Sequence, residues 1–314
     1  MIINILLILI GFVLLIKGAD LLVEGASGIA KKFHIPEIII GLTIVSIGTS
    51  MPELFVSITS AIDGLEDISL GNVIGSNICN LLLILGLSAT INPIIFKKET
   101  RLIEIPMNVG VTILFLILCN IGNEVSRIDS VILITLFIAF IMYTIIMAKK
   151  SKNNETVEES TKKTKKTITN ILFIIIGIVA LKIGGDFVVE NAEAIAKQFN
   201  ISEKIIGLTI VAIGTSLPEL VTSVTAAIKK DTDIAIGNII GSNIFNMLLI
   251  IGAASAINPI SYNPSYNLQM GILIVGTFVL GLFPYTDKKD EMTQSNGITY
   301  LMLYALYMVV LFVK

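Results

Sequence analysis

From Gly18 the chain reads GADLLVEGASGIAKKFHIPEIIIGLTIVSIGTSMPEL, and from Gly184 it reads GGDFVVENAEAIAKQFNISEKIIGLTIVAIGTSLPEL. The match continues: GNVIGSNICN from Gly71 returns as GNIIGSNIFN from Gly237, and Asn92-Pro93 returns as Asn258-Pro259. Every pair is 166 residues apart with no gap, from Asp20/Asp186 to Pro93/Pro259. Chance does not hold a register that long, so the chain is built from two copies of one unit.

The medium that this unit folds in follows from composition. Of the 314 residues, 54% are hydrophobic and 15% charged, and the mean hydropathy is +0.89. Soluble domains carry about a quarter charged residues, so the composition is that of a membrane protein. Ten apolar segments are long enough, or nearly so, to cross a hydrocarbon core of about 30 Å. They lie near 2–22, 36–61, 69–92, 103–121, 128–148, 168–190, 202–228, 234–257, 267–284 and 297–313. Strands of a membrane barrel would be about half as long and would alternate, so the expected fold class is all-α. The opening run MIINILLILIGFVLLIKGAD lacks the basic start and cleavage site of a signal peptide; its continuation recurs inside the chain, so it reads as a retained first helix.

Each copy carries five of these spans. An odd number makes the second copy enter the membrane from the opposite side, an inverted-topology repeat. The expected division is 1–148 for the first five-helix repeat, 149–167 for a polar linker and 168–314 for the second repeat. The segment 148–167 holds seven lysines; taking it as cytoplasmic puts both termini outside. The connections then inside carry Lys31, Lys32, Lys97, Lys98, Arg101, Lys229, Lys230, Lys288 and Lys289, against Arg127, Lys197 and Lys204 outside. The linker lacks apolar periodicity and reads as a flexible tether.

Several classes of function fall away. The net charge is −2 and no basic patch interleaves with aromatics, so nucleic acid is not a partner. Cys79 and Cys119 sit in apolar segments and read as small core residues. His34, the single histidine, lies at a loop, which excludes a histidine-based metal site.

The remaining polar residues are concentrated. Glu53 and Glu219 hold equivalent places in apolar spans, where an acidic residue costs about 2.5–3.5 kcal/mol on insertion scales. No Lys or Arg lies in the central spans to neutralise them; Lys17, Asp20, Lys182 and Asp186 are toward helix ends and are expected to pair with one another or reach the interface. Ser46, Thr49, Ser50 and Glu53 recur at helical spacing as one polar stripe. Pro52 has no N–H and crowds the Gly48 carbonyl, so the helix should kink or break there and free backbone carbonyls. In a membrane such carbonyls are tolerated where they line a protein cavity. Thr215, Ser216, Pro218 and Glu219 supply a second set. Ser76 and Asn80 share a face of the following helix, and Ser242 and Asn246 repeat it. Carbonyls, hydroxyls and carboxylates are hard oxygen ligands suited to Ca2+ or Na+. A divalent ion cancels both carboxylate charges; sodium ions or protons can do so in its place.

In these residues the chain resembles the calcium/cation antiporter superfamily, and within it the sodium/calcium exchanger branch. The two motifs, GTSMPEL…GNVIGSNICN and GTSLPEL…GNIIGSNIFN, carry the resemblance in order and spacing. The proton-coupled branch typically has Gly-Asn-x-x-Glu, where this chain reads GNVIG and GNIIG. The resemblance implies ten helices with the site between the broken second, third, seventh and eighth. It implies that Glu53 and Glu219, with the carbonyls of Thr49 and Thr215, bind Ca2+. Sodium would use Ser50, Ser76, Ser216 and Ser242 with the same glutamates, plus carbonyls at Ser46 and Ala212. Asn80 and Asn246 complete the centre, and the first and sixth helices slide across it. Many relatives have Asp where this chain has Asn246, which argues against potassium co-transport. Ser46 opposite Ala212 makes the halves unequal in hydroxyl count.

The resulting expectation is a multi-pass cell-membrane antiporter, with no enzymatic activity and no cofactor, that exchanges Na+ for Ca2+ by alternating access and exports Ca2+ electrogenically. Ca2+/H+ exchange is the near alternative, with H+ as the coupling ion, and a passive cation channel the more distant one. The partners are Ca2+, Na+ and the lipid bilayer; no protein partner can be read from the sequence.

Overall fold

The computed structural model describes residues 2–154, 166–199, 212–286 and 290–313. Its order is α1 (Ile2–Phe33), α2 (Glu37–Thr49), α3 (Met51–Ile62), α4 (Asp67–Ile91), β1 (Ile94–Ile95), α5 (Thr100–Asn120), β2 (Glu124–Val125), α6 (Arg127–Asn154) and α7 (Thr167–Gln198). It continues with α8 (Ala212–Thr215), α9 (Leu217–Ile228), α10 (Thr232–Ile257), β3 (Ile260–Ser261), α11 (Asn267–Thr286), β4 (Glu291–Met292) and α12 (Gln294–Val313). Among the described residues, seven helices are long and apolar enough to cross a membrane; α2 and α3, bent by 48° at their junction, make an eighth candidate span.

Two boundaries depart from expectation. α1 runs to Phe33, well past the expected end near residue 22. No proline intervenes before His34, whose φ of 52° and following Pro36 stop the helix, and Lys31 and Lys32 in the last turn complement the helix dipole. α6 likewise continues through Asn154, so residues 149–154 of the expected tether are helical. Residues 155–165 and 200–211, the latter including 202–211 of the expected seventh span, lie outside the described residues.

Burial sorts the helices into a centre and a shell. In α10, 94% of the apolar window is buried, against 17% in α6. α6 instead presents Ile128, Val131, Ile138, Met142 and Ile146 outward, as a helix facing lipid does. α1 and α7 run antiparallel along each other. A Cβ on Gly18 would come within 2.9 Å of the Gly177 carbonyl oxygen, and one on Gly177 within 2.8 Å of the Gly18 oxygen, so the two backbones meet without a side chain between them. α2 crosses α10 as closely: a Cβ on Gly237 would lie 2.7 Å from the Ile38 carbonyl oxygen. Two antiparallel ribbons tie the copies at their ends, β1 to β4 (Ile94 opposite Met292) and β2 to β3 (Val125 opposite Ile260). Cys79 and Cys119 are free and buried, as expected of core residues.

Candidate functional site

Ser50 and Ser216 mark the two breaks. Both leave helical geometry for the sparsely populated bridge region, Ser50 at φ −84°, ψ 9° and Ser216 at φ −86°, ψ 5°. Pro52 and Pro218 are the cause, because neither can donate to the carbonyl four residues earlier, Gly48 or Gly214. Each proline then starts a new helix well, since the first turn needs no donor there. Glu53 and Glu219 follow in that first turn, where the N-terminal end of a helix favours negative charge. The facing helices are also irregular: π-helical turns span Cys79–Ile84 in α4 and Asn246–Ile250 in α10. Such turns are frequent at functional sites, and these hold Asn80 and Asn246.

The breaks bring the two copies together. Ser50 Oγ donates to Glu219 Oε1 at 2.7 Å and lies 2.9 Å from Ser242 Oγ. Glu53 holds the equivalent first-turn position on α3 with Ser216 beside it, and Glu53 Oε2 has no hydrogen-bond partner. Glu53, Glu219, Thr49, Ser50, Ser76, Ser216, Ser242, Asn80 and Asn246 are all buried. Among the described residues, no ion pair reaches either glutamate.

Six buried oxygens of this set have no hydrogen-bond partner: Glu53 Oε2, Glu219 Oε2, Ser76 Oγ, Ser216 Oγ, Asn80 Oδ1 and Asn246 Oδ1. An unpaired buried polar atom costs about 1–3 kcal/mol, so a concentration of them in one place calls for an explanation. The donor set is wholly oxygen, charged at two carboxylates and neutral elsewhere, which suits a hard cation. Among the described residues no group of three or more His, Cys, Asp or Glu is placed to hold a metal ion, so hydroxyls, amides or carbonyls must complete any coordination.

One expected contributor behaves differently. The Ser46 hydroxyl turns back on its own helix, donating to the Leu42 carbonyl at 2.9 Å, so the side chain leaves the polar stripe. The Ser46 carbonyl accepts from Ser50 N at 3.0 Å. Ala212 opens α8, the short helix before the second break. Of the end-of-helix charges, Lys182 and Asp186 pair at 2.6 Å as expected, whereas Asp20 pairs across the fold with Lys229 at 2.9 Å. The latter contact ties α1 to the end of α9, which no local spacing could reveal.

A second layer went unread in the sequence. Thr49 Oγ1 donates to Asn238 Oδ1 at 3.1 Å, and Asn238 Nδ2 donates to Ser223 Oγ at 2.9 Å. The other copy repeats this, Thr215 Oγ1 to Asn72 Oδ1 at 3.4 Å and Asn72 Nδ2 to Ser57 Oγ at 3.2 Å. Asn72 also reaches the Glu53 carbonyl at 3.4 Å. Asn77 and Asn243 bridge α4 and α10. The signal that could have found these residues is their identity in both copies, since Ser57/Ser223, Asn72/Asn238 and Asn77/Asn243 keep the 166-residue offset.

Residues 3–146 and 169–313 match the model of the family described as sodium/calcium exchanger protein. The chain is 34% identical to the sodium/calcium exchanger MaX1 of Methanosarcina acetivorans over 99% of both chains. It is also 34% identical to the inner membrane protein YrbG of Escherichia coli, covering 88% of this chain and 87% of that one. A solved structure of the sodium-calcium exchanger NCX_Mj, soaked with Na+ and Sr2+, superposes with a TM-score of 0.86 at 34% identity, covering 98% of each chain. With both copies matched and a named exchanger aligned along nearly its whole length, this multi-pass membrane protein belongs to the sodium/calcium exchanger family of antiporters.

Proposed function

We propose that the protein is a secondary active antiporter that exports Ca2+ in exchange for inward Na+, electrogenic when the sodium charge exceeds the calcium charge. The observation that carries this reading is the pair of buried glutamates together with unpaired hydroxyl and amide oxygens and, among the described residues, no ion-pair partner for either glutamate. Such a site is stable only with positive charge in it. Ca2+ binds Glu53 and Glu219 with the carbonyls of Thr49 and Thr215. Na+ uses Ser50, Ser76, Ser216 and Ser242 with the same glutamates, and the carbonyls of Ser46 and Ala212; Asn80 and Asn246 complete the centre. Because both ions need the same carboxylates, they occupy the site in turn, which is the physical requirement for exchange.

The membrane arrangement in this reading is ten spans in two inverted halves, 1–148 and 168–314, joined on the cytoplasmic side, with both termini outside. Alternating access comes from α1 and α7 sliding together across the centre. Their glycine-lined contact, which lets them move as one body, supports this, as does the outward exposure of Leu6, Leu9, Ile171 and Ile175.

The test is radiolabelled Ca2+ uptake into sodium-loaded proteoliposomes, with external Na+ and the pH gradient varied separately. Uptake should follow the sodium gradient and stop when it is collapsed. Uptake that ignores Na+ and follows pH would make the protein a Ca2+/H+ antiporter, and flux without any counter-ion would make it a channel.

A further inference from the structure

Four buried asparagines, two from each copy, meet between α4 and α10. The backbone carbonyls of Asn77 and Asn243 can only accept hydrogen bonds. Asn77 Nδ2 lies 3.1 Å from the Asn243 carbonyl oxygen, and Asn243 Nδ2 lies 3.4 Å from that of Asn77. Each amide therefore presents its NH2 to the opposite backbone, which turns its own Oδ1 the other way. There Asn246 Nδ2 donates to Asn77 Oδ1 at 2.9 Å, and Asn80 Nδ2 donates to Asn243 Oδ1 at 3.1 Å. Rotating Asn80 or Asn246 by half a turn would set oxygen against oxygen in a buried place. The two remaining Oδ1 atoms are thus directed away from the cluster, buried and with no donor. The helix that carries Glu219 packs on the π-helical turn of Asn80, and the helix that carries Glu53 packs on that of Asn246.

We propose that Asn77 and Asn243 are positioning residues for the cation site: their amides lock Asn80 and Asn246 with the Oδ1 atoms turned toward the ion as neutral ligands. The proposal rests on the reading of the glutamate cage given above. It also accounts for asparagine at position 246. An ionised aspartate there has no donor for Asn77 Oδ1, and the lock would open.

The test is a pair of double-mutant cycles on the full chain, reading apparent Ca2+ and Na+ affinities in proteoliposomes and the ion-induced rise in melting temperature in detergent. Asn77→Ala and Asn246→Ala should each weaken both ions about tenfold, the size of one well-made polar contact. The double variant should be no weaker than the worse single one, because Asn77 acts through Asn246. Asn77→Ala combined with Asn80→Ala should instead multiply, although these residues share a helix. A merely structural role would lower the melting temperature without ions and leave both affinities unchanged; that result, or multiplication in the Asn77/Asn246 cycle, overturns the proposal. Asn243→Ala with Asn80→Ala supplies the same cycle if Asn77→Ala does not fold. Glu53→Gln, measured in parallel, separates the two levels. If Ca2+ affinity survives it, the cage reading itself fails; if it is lost while the Asn77/Asn246 cycle multiplies, only the lock falls.

Discussion

Ser50 and Ser216 stand at equivalent places, each closing a helix two residues before a proline, yet the two halves of the cage are built differently. Ser50 is drawn into a chain with Glu219 and Ser242 at 2.7 and 2.9 Å. Ser216 and Ser76, which hold the places equivalent to Ser50 and Ser242, leave their hydroxyls without a partner. A serine hydroxyl has one proton to give, so Ser50 spends it on Glu219 while Ser216 keeps its own. The asymmetry begins earlier on the helices. Ser46 packs against Gly241, where a Cβ would lie 2.6 Å from its hydroxyl, and its counterpart in the second copy is Ala212. Two near-identical sequences thus leave equivalent serines in different states, Ser50 and Ser242 hydrogen-bonded and Ser216 and Ser76 unpaired.

Removing a carboxylate is the harshest way to break the comparison. Glu53→Gln and Glu219→Gln should each lower sodium-driven Ca2+ uptake about 100-fold or more, since either change leaves one charge to hold a divalent ion. Uptake within a few-fold of the unmodified protein in either variant would contradict the shared site. Straightening one break at a time comes next. Pro52→Ala or Pro218→Ala restores a helical donor, and each should cut the initial uptake rate about tenfold as the freed carbonyl is recaptured. The hydroxyls sharpen the comparison directly. Ser50→Ala strips Glu219 of its donor and should shift the half-saturating Na+ concentration by about tenfold, with Ser216→Ala shifting it less. Equal shifts would mean that the halves trade roles during the cycle. The smallest effect is expected from Lys229→Ala, which removes a half-exposed pair with Asp20 and should change unfolding free energy by about 1 kcal/mol or less. A larger loss in a thermal melt would give that contact a greater part in holding α1.

Much of this was legible in the chain. Paired prolines after paired serines announce breaks, and a helix with no N–H at one position cannot close its ladder whatever surrounds it. Glu53 and Glu219 were equally plain, because carboxylates in apolar spans need a common purpose. The second layer was not legible. Asn72, Asn77, Asn238 and Asn243 resemble ordinary packing polar groups until the opposite helix supplies their partners, since an amide has no preferred orientation alone. The reach of α1 to Phe33 was also hidden, because a polar continuation such as LLVEGASGIAKKF is equally compatible with a loop.

Sequence alone determined the medium, the internal repetition and the paired helix breaks, because hydropathy, repetition and proline chemistry are local properties. Only the tertiary structure decided which hydroxyl serves which glutamate, which way each asparagine faces and why Ser46 turns back on its helix. Those choices depend on single donors and acceptors meeting across helices far apart in the chain, and a distance of about 3 Å between them is written nowhere in one dimension.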